Sequence, residues 1–343
     1  MTLFYCDYEE GAHPRILQRM AETNFDQYPG YGLDSWCEKA ASYIKRDIEM
    51  PEATVHFLVG GTQTNKTVIA SILKPYEGVL SADTGHIATH ESGAIEATGH
   101  KVLTLPSVNA KITGAQVAEA MEAHLNNPTM EHTVRPGMVY ISQPTESGTL
   151  YTKKELEELH AACRKYRIPL FVDGARLGYA LACAENDVTM PVLARNCDVF
   201  YIGGTKVGAL FGEAVVVTNK DIMDNFRYLI KQHGGMLAKG WLLGIQFATL
   251  FEDGLYYEIS KNAVELAMKV RAAIKEKGYI VPIDSPSNQQ FCIMPEEDYE
   301  RLSKKYGIQD MGRTEGGRSV RICTSWATKP ECVDELVKDI LNK

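Results

Sequence analysis

The sequence predicts an α/β protein: a large domain on a mainly parallel sheet between helices, followed by a smaller α+β unit. Three observations carry this. Strand-like and helix-like pieces alternate from about Val55 to Val217. The strand-like pieces are unbroken apolar runs, the pattern of strands buried on both faces. Beyond roughly position 250 the alternation gives way to a long amphipathic helix and two further strand-like runs.

Taken in order, "TVHFLVGG" reads as a strand ending in a glycine turn, with "TNKTVIASIL" as the helix behind it. "VYISQP" is a short strand. "TKKELEELHAACRKYR" is a helix with a capping box, Thr152 and Glu155, and an apolar face of Leu156, Leu159, Cys163 and Tyr166. "PLFVD", "DVFYIGG" and "GEAVVVT" follow as apolar strands. "EISKNAVELAMKVRAAIKEKG" is a long helix stopped by Gly278, and "QFCIM" and "SVRICTSW" are strands. A closing helix is expected to be capped by Thr328 and Glu331, with Val333, Leu336, Val337, Ile340 and Leu341 on one face. The large domain is placed at residues 12–248, and the smaller one at 249–343 together with segment 1–11.

Composition narrows the function classes. The 343 residues carry a net charge of −8 with no long run of like charge, which argues against nucleic acid as the main partner. No apolar run approaches the ~20 residues of a membrane span, and no basic-then-apolar leader is present, so a cytoplasmic protein is expected. Eight cysteines are scattered without a CxxC pair, which fits free thiols in a reducing compartment.

Chemistry concentrates where the strands end. Ligands of open α/β sheets bind beyond the carboxyl ends of the strands, and Gly60–Thr62, Asp173, Arg176 and Lys206 all fall there. Glycines at a strand end followed by a helix N-terminus suit a phosphate, through free amides and the helix dipole. The stretch "VGGTQTNKT" nearly matches a P-loop, but Asn65 stands where that loop needs glycine before its lysine. Lys206 is oddly placed for a solvated charge, with Gly203, Gly204 and Gly208 around it, and these glycines are expected to admit a bulky group. A partly desolvated lysine is a nucleophile toward an aldehyde. With a strand-end aspartate and a phosphate cradle it makes the set that pyridoxal phosphate requires. His86, His90 and Glu91 also invite a metal reading, but no third ligand suggests itself and no metal is expected.

With "GGTQTN", "GHIATHESGA", "VDGAR" and "GGTK" in this order, the chain resembles the low-specificity threonine aldolases of the fold type I (aspartate aminotransferase-like) pyridoxal-phosphate superfamily, which includes β-eliminating lyases. The resemblance implies a seven-stranded sheet in the large domain and the cofactor pyridoxal 5′-phosphate. It implies that Gly60, Gly61 and Thr62 hold the phosphate, with Thr205 of "GGTK" beside the cofactor and His86 stacked on its ring. Asp173 would pair with the ring nitrogen and Lys206 would bind the cofactor covalently. Arg176 and Arg321 would take the substrate carboxylate, with Arg318 competing for the second place.

Four positions depart from the family pattern. Cys6 replaces a substrate-binding serine, Glu146 replaces a histidine at the substrate hydroxyl, and His90 replaces an aromatic residue. Lys239 is the nearest cation to a place where a partner subunit usually offers arginine. The expected reaction is retro-aldol cleavage of threonine or allo-threonine to glycine and an aldehyde, with His86, Glu146 or His90 as base. β-Elimination, racemisation and transamination are the alternatives, and a homodimer or homotetramer is implied.

Overall fold

The computed structural model describes residues 1–342. Eleven strands form two sheets among these residues. In chain order they are β1 (Thr2–Phe4), β2 (Thr54–Leu58), β3 (Glu77–Ala82), β4 (Lys101–Leu105), β5 (Arg135–Ser142) and β6 (Leu170–Asp173). The rest are β7 (Val199–Gly203), β8 (Glu213–Val217), β9 (Gln289–Met294), β10 (Tyr306–Thr314) and β11 (Gly317–Cys323). The large sheet has seven strands in the order β2-β8-β7-β6-β5-β3-β4.

Strand direction decides where the chemistry gathers. β8 is antiparallel to both β7 and β2, so β2 points the same way as β7. β3, β4, β5, β6 and β7 pair in parallel. Six of the seven strands therefore deliver their carboxyl ends to one edge, where β8 begins. The unbroken apolar runs explain the placement: β7 and β8 are buried throughout. One core cluster lies on one face of this sheet, around Val172, Phe200, Ile202 and Phe247, and a second lies on the other, around Tyr140, Phe171, Tyr201 and Val215.

The smaller sheet runs β1-β10-β11-β9, with β1 parallel to β10 and the remaining pairs antiparallel. Its apolar face packs with Val333, Leu336 and Ile340 of the closing helix. Helix Leu255–Lys277 ties the two layers together. Tyr256, Ile259 and Ala263 at its start belong to the large core, and Leu266, Val270 and Ile274 belong to the small one. It ends at Gly278, whose φ of +81° is the left-handed conformation that glycine adopts without strain.

Several local expectations need correction. The closing helix Pro330–Leu341 is not capped by Thr328 and Glu331: Lys329 is the N-cap, and no side-chain cap bond forms. Pro330 supplies a fixed φ at the first helical position, where the missing amide costs nothing, while Thr328 Oγ1 accepts from Ser325 N at 2.8 Å. The glycines around Lys206 are explained by protein neighbours. A Cβ on Gly203 would lie 2.2 Å from the Ala175 carbonyl oxygen, and one on Gly204 would lie 2.8 Å from the Phe247 ring. Gly208 has a φ of +81°. These positions let β6, β7 and their loops pack closely rather than admit a ligand.

The Thr152–Glu155 capping box is present. Helix Trp241–Phe251, where the two domains were expected to meet, is buried from Leu243 to Phe251. It lies so close to helix Ser35–Asp47 that a Cβ on Gly244 would sit 2.4 Å from Cys37 N.

Candidate active site

A cavity of about 320 Å³ opens at the carboxyl edge of the large sheet. Gly60, Gly61, Thr62, His86, Glu146, Asp173, Arg176, Thr205 and Lys206 all line it. A larger cavity, about 670 Å³, lies near Thr54 and Val217 at the other end of β2 and β8. It gathers Lys220, Arg227 and Lys231 but no carboxylate. The chemistry is in the smaller one.

Each wall follows from its element. β2 ends at Leu58, and helix Gly61–Ile72 begins at the cavity with Gly60 as N-cap and no side-chain cap. Its first-turn amides are thus left for an anion. Asn65, four residues after Gly61, is completely buried, and its Nδ2 donates to Glu91 Oε1 at 2.7 Å and to Asp173 Oδ2 at 3.0 Å. This bond is why glycine is absent there: the loop supports an acid network, not a nucleotide.

Asp173 ends β6 and is 4% exposed. Oδ2 accepts from the Tyr140 hydroxyl at 2.6 Å as well as from Asn65, and Oδ1 accepts from Ala175 N at 2.9 Å. Three donors fix the carboxylate in direction. His86 lies in the short helix His86–Thr89, and its Nδ1 meets Glu91 Oε1 at 2.8 Å. Burial works to lower the His86 pKa, but the Glu91 bond and the Asp173 charge prevail and raise it.

Glu146 is half-buried. Its Oε1 accepts from Ser142 Oγ at 2.6 Å and from the His86 backbone amide at 2.9 Å. Burial pushes its carboxyl above the usual range, against the pull of the Ser142 bond.

Arg176 follows β6 and is half-buried. Nε and Nη2 grip Asp7 at 2.6 and 2.9 Å, a bidentate pair whose acid is fully buried. Asn288 also donates to Asp7, at 2.9 Å. Burial would raise the Asp7 pKa, but Arg176 and Lys206 bring it down. Nη1 of Arg176 makes no hydrogen bond among the described residues, and the residue lines the cavity.

Lys206 stands in the loop between β7 and β8. Burial and the Arg176 charge lower its pKa, while Asp7, Asp173 and Glu213 oppose them.

The other expected site residues lie outside this cavity. Arg321 Nη1 donates to Gln289 Oε1 at 2.8 Å and Nη2 to the Tyr5 carbonyl at 2.9 Å. Arg318 is bound to Glu296 and Asp310 and lies over the Tyr299 ring, which removes it from the competition. Cys6 is half-buried, with its thiol pKa raised chiefly by burial; Tyr8 reaches the cavity from the same segment. His90 is exposed, its ring 5.7 Å from that of His86. Lys239 lies just before helix Trp241–Phe251 and does not line the cavity.

Four functional neighbours escaped the sequence reading. Tyr140 and Asn65 looked like strand core and a failed P-loop position. Asp7 had no visible partner, since Arg176 is 169 positions away. Glu213 opens an apolar strand, and that intrusion of an acid into "GEAVVV" was a usable signal once the strand's direction was known.

The residues present fit pyridoxal 5′-phosphate. The uncapped helix start suits the phosphate, the triply held Asp173 carboxylate suits a ring nitrogen that must stay protonated, and the Lys206 amine suits the aldehyde. Orphaned buried oxygens on Asn65, Glu91 and Glu213 mark a polar site still able to accept hydrogen bonds.

Comparison with known proteins agrees with this geometry. The family model described as beta-eliminating lyase matches residues 9–293. The low specificity L-threonine aldolase of a Pseudomonas species is 30% identical, over 98% of this chain and 96% of that one. The Pseudomonas aeruginosa enzyme of the same description is 29% identical with the same coverage. Among solved structures, the threonine aldolase of Leishmania major superposes with a TM-score of 0.96 at 43% identity, over 100% of this chain and 99% of that one. Aspartate aminotransferase of Thermus thermophilus superposes at 0.73 with 13% identity, over 100% of this chain and 91% of that one, a likeness of fold alone.

Proposed function

The chain belongs to the beta-eliminating lyase family, with the type I pyridoxal-phosphate fold, and from that premise we propose that it cleaves a β-hydroxy-α-amino acid, threonine or allo-threonine, to glycine and an aldehyde. The observation that carries this reading is the meeting of three features in one cavity: the uncapped helix start at Gly60–Thr62, the Asp173 carboxylate and the Lys206 amine. When bound, the cofactor supplies an aldehyde that takes up the substrate amine and a ring that accepts the electrons of the breaking bond.

The chain supplies everything else. Gly61 and Thr62 would hold the phosphate through backbone amides, with Gly60 and Thr205 beside them, and His86 would lie against the ring. Asp173 would hold the ring nitrogen, its carboxylate fixed in direction by Tyr140, Asn65 and Ala175 N. Lys206 would offer a neutral amine, since burial lowers its proton affinity.

Arg176 binds the substrate carboxylate through the Nη1 edge that Asp7 leaves open. Arg321, on β11 outside the cavity, would join it only by exchanging its bonds to Gln289 and the Tyr5 carbonyl. Fixing the carboxylate sets which bond at Cα can break. Glu146 has Oε1 occupied and Oε2 available, and accepts the β-hydroxyl proton there, directly or through water; its raised proton affinity suits that task. Cys6 borders the carboxylate side from the N-terminal segment.

Segment 1–11 and residues 249–343 form the smaller domain in this reading, and 12–248 the larger. We also read the protein as a cytoplasmic homo-oligomer. All eight cysteines are free, and no helix of the described residues is long and apolar enough to cross a membrane. Lys239 can serve a phosphate only from a second copy, which light scattering on the purified protein checks.

The deciding experiment is an absorption spectrum before and after borohydride reduction, with Lys206→Ala alongside. A visible band that reduction removes and the variant lacks is expected. Release of glycine and acetaldehyde from threonine then separates this reaction from β-elimination, which gives an oxo acid and ammonia. A protein that takes up no cofactor overturns the reading.

A further inference from the structure

Glu91 lines the active-site cavity, yet no step of the cleavage uses it. It lies just beyond the short helix His86–Thr89, and its side chain is fully buried. Its Oε1 meets two nitrogens, Asn65 Nδ2 at 2.7 Å and His86 Nδ1 at 2.8 Å. Asn65 Nδ2 also donates to Asp173 Oδ2 at 3.0 Å, so both of its hydrogens are spent on acids. That settles which way the amide faces, because its oxygen in the same place would meet two carboxylate oxygens.

The proton between Glu91 and His86 belongs to the ring nitrogen. Imidazole is a stronger base than a carboxylate in water, and Oε1 already receives the Asn65 hydrogen. A bare Nδ1 would set its lone pair against a lone pair of that oxygen. Nδ1 is therefore the donor, and Nε2 makes no hydrogen bond among the described residues. We propose that Glu91 is a positioning residue for His86: it holds a proton on Nδ1, fixes the plane of the ring and leaves Nε2 as the nitrogen free to take up or release a proton. The use of a ring so fixed rests on the reading that His86 lies against the cofactor.

The backbone of His86 is held separately. Its amide donates to Glu146 Oε1 at 2.9 Å, and its carbonyl accepts from His90 N at 2.9 Å. With the main chain pinned, the ring keeps only rotation about its side-chain bonds, and the Glu91 bond removes that. The charged and titratable groups around the ring are Glu91, Asp173 at the end of β6, Lys206 in the loop after β7, Glu146 in the loop after β5, and His90. Burial lowers the His86 pKa and Lys206 acts with it, but Glu91 and Asp173 prevail and raise it.

The test reads the proton directly, by nuclear magnetic resonance of the full-length chain as purified, isotope-labelled at its histidine nitrogens. Two-bond correlation spectra distinguish a protonated ring nitrogen from a bare one, and the signals missing from His86→Phe identify the residue. Neutral His86 is expected to carry its proton on Nδ1, the reverse of what a free histidine side chain prefers. Glu91→Gln keeps an acceptor oxygen and loses the charge. The tautomer is expected to stay, and the His86 titration midpoint to fall by about one unit. Glu91→Leu removes oxygen and charge together and is expected to release the proton to Nε2. The wild-type tautomer needs no variant, which keeps the inference testable if either variant fails to fold. A proton on Nε2 in the wild type, or an unmoved midpoint in folded Glu91→Gln, overturns the positioning role. The cofactor reading is judged separately on the same samples: absence of a borohydride-sensitive visible band overturns that reading, whichever nitrogen holds the proton.

Discussion

Asp173 and Glu213 flank β7 at the same edge of the sheet, one ending β6 and the other opening β8. Both are 4% exposed. Asp173 is met by a phenol, an amide side chain and a backbone amide. Glu213 is met by one hydroxyl and keeps an orphaned oxygen. The two are equally buried and differ in their donors. The well-supplied acid is fixed in direction by its donors, and the poorly supplied one keeps an oxygen open to a further donor.

The strongest way to break this contrast is Asp173→Asn. Removing the fixed charge is expected to lower turnover by at least about 100-fold, checked by steady-state threonine cleavage with cofactor content measured on the same samples. Retention of near wild-type turnover would mean that the three donors serve folding alone. Next comes Glu146→Gln, expected to slow carbon–carbon cleavage by about 100-fold, the lower end for a general base, while leaving the visible band in place. Loss of the band along with activity would assign Glu146 to holding the His86 backbone.

Asp7→Asn sharpens the comparison at a third buried acid, one that faces a guanidinium. Leaving Arg176 half-paired is expected to cost about 3 kcal/mol in urea unfolding and to raise KM more than it lowers kcat. An unchanged KM would separate Arg176 from the substrate carboxylate.

The smallest effect is expected at the surface. Glu252 joins Arg19 and Lys39 at 2.9 and 3.1 Å. Burial would raise its pKa, but those two bonds depress it from 4.5 to about 2. A depressed acid stabilises above its unfolded pKa and loses that contribution as pH falls through its folded one. Glu252→Gln should therefore be less stable than wild type at neutral pH by under about 1 kcal/mol, and the two unfolding curves should converge between pH 4.5 and about 2.

What the sequence made legible was whatever local pattern encodes. The apolar runs gave β5 through β8, and glycine breaks located the edge where Lys206 and Asp173 gather. β3 was missed because "EGVLSA" mixes Glu, Gly and Ser into a fully buried strand, and β10 because "YGIQDMGRT" carries charges along its outer half. The Asp7–Arg176 pair and the Asn65–Asp173 bond join residues 169 and 108 positions apart. No periodicity records such a distance. The direction of β8 was equally hidden, since buried parallel and antiparallel strands share one composition.

That reversed strand has a mechanical consequence. Lys206 is carried on a hairpin, laced shut by two amides on the Gly212 carbonyl and continued by the full β7–β8 ladder. Its backbone has no slack, so any travel between bond partners must come from rotation within its own four-carbon arm. Changing the length of segment 204–212 would therefore miscalibrate the reach of that arm, and displace Thr205 and Phe211 with it, while the walls carried by β2, β5 and β6 stayed in place.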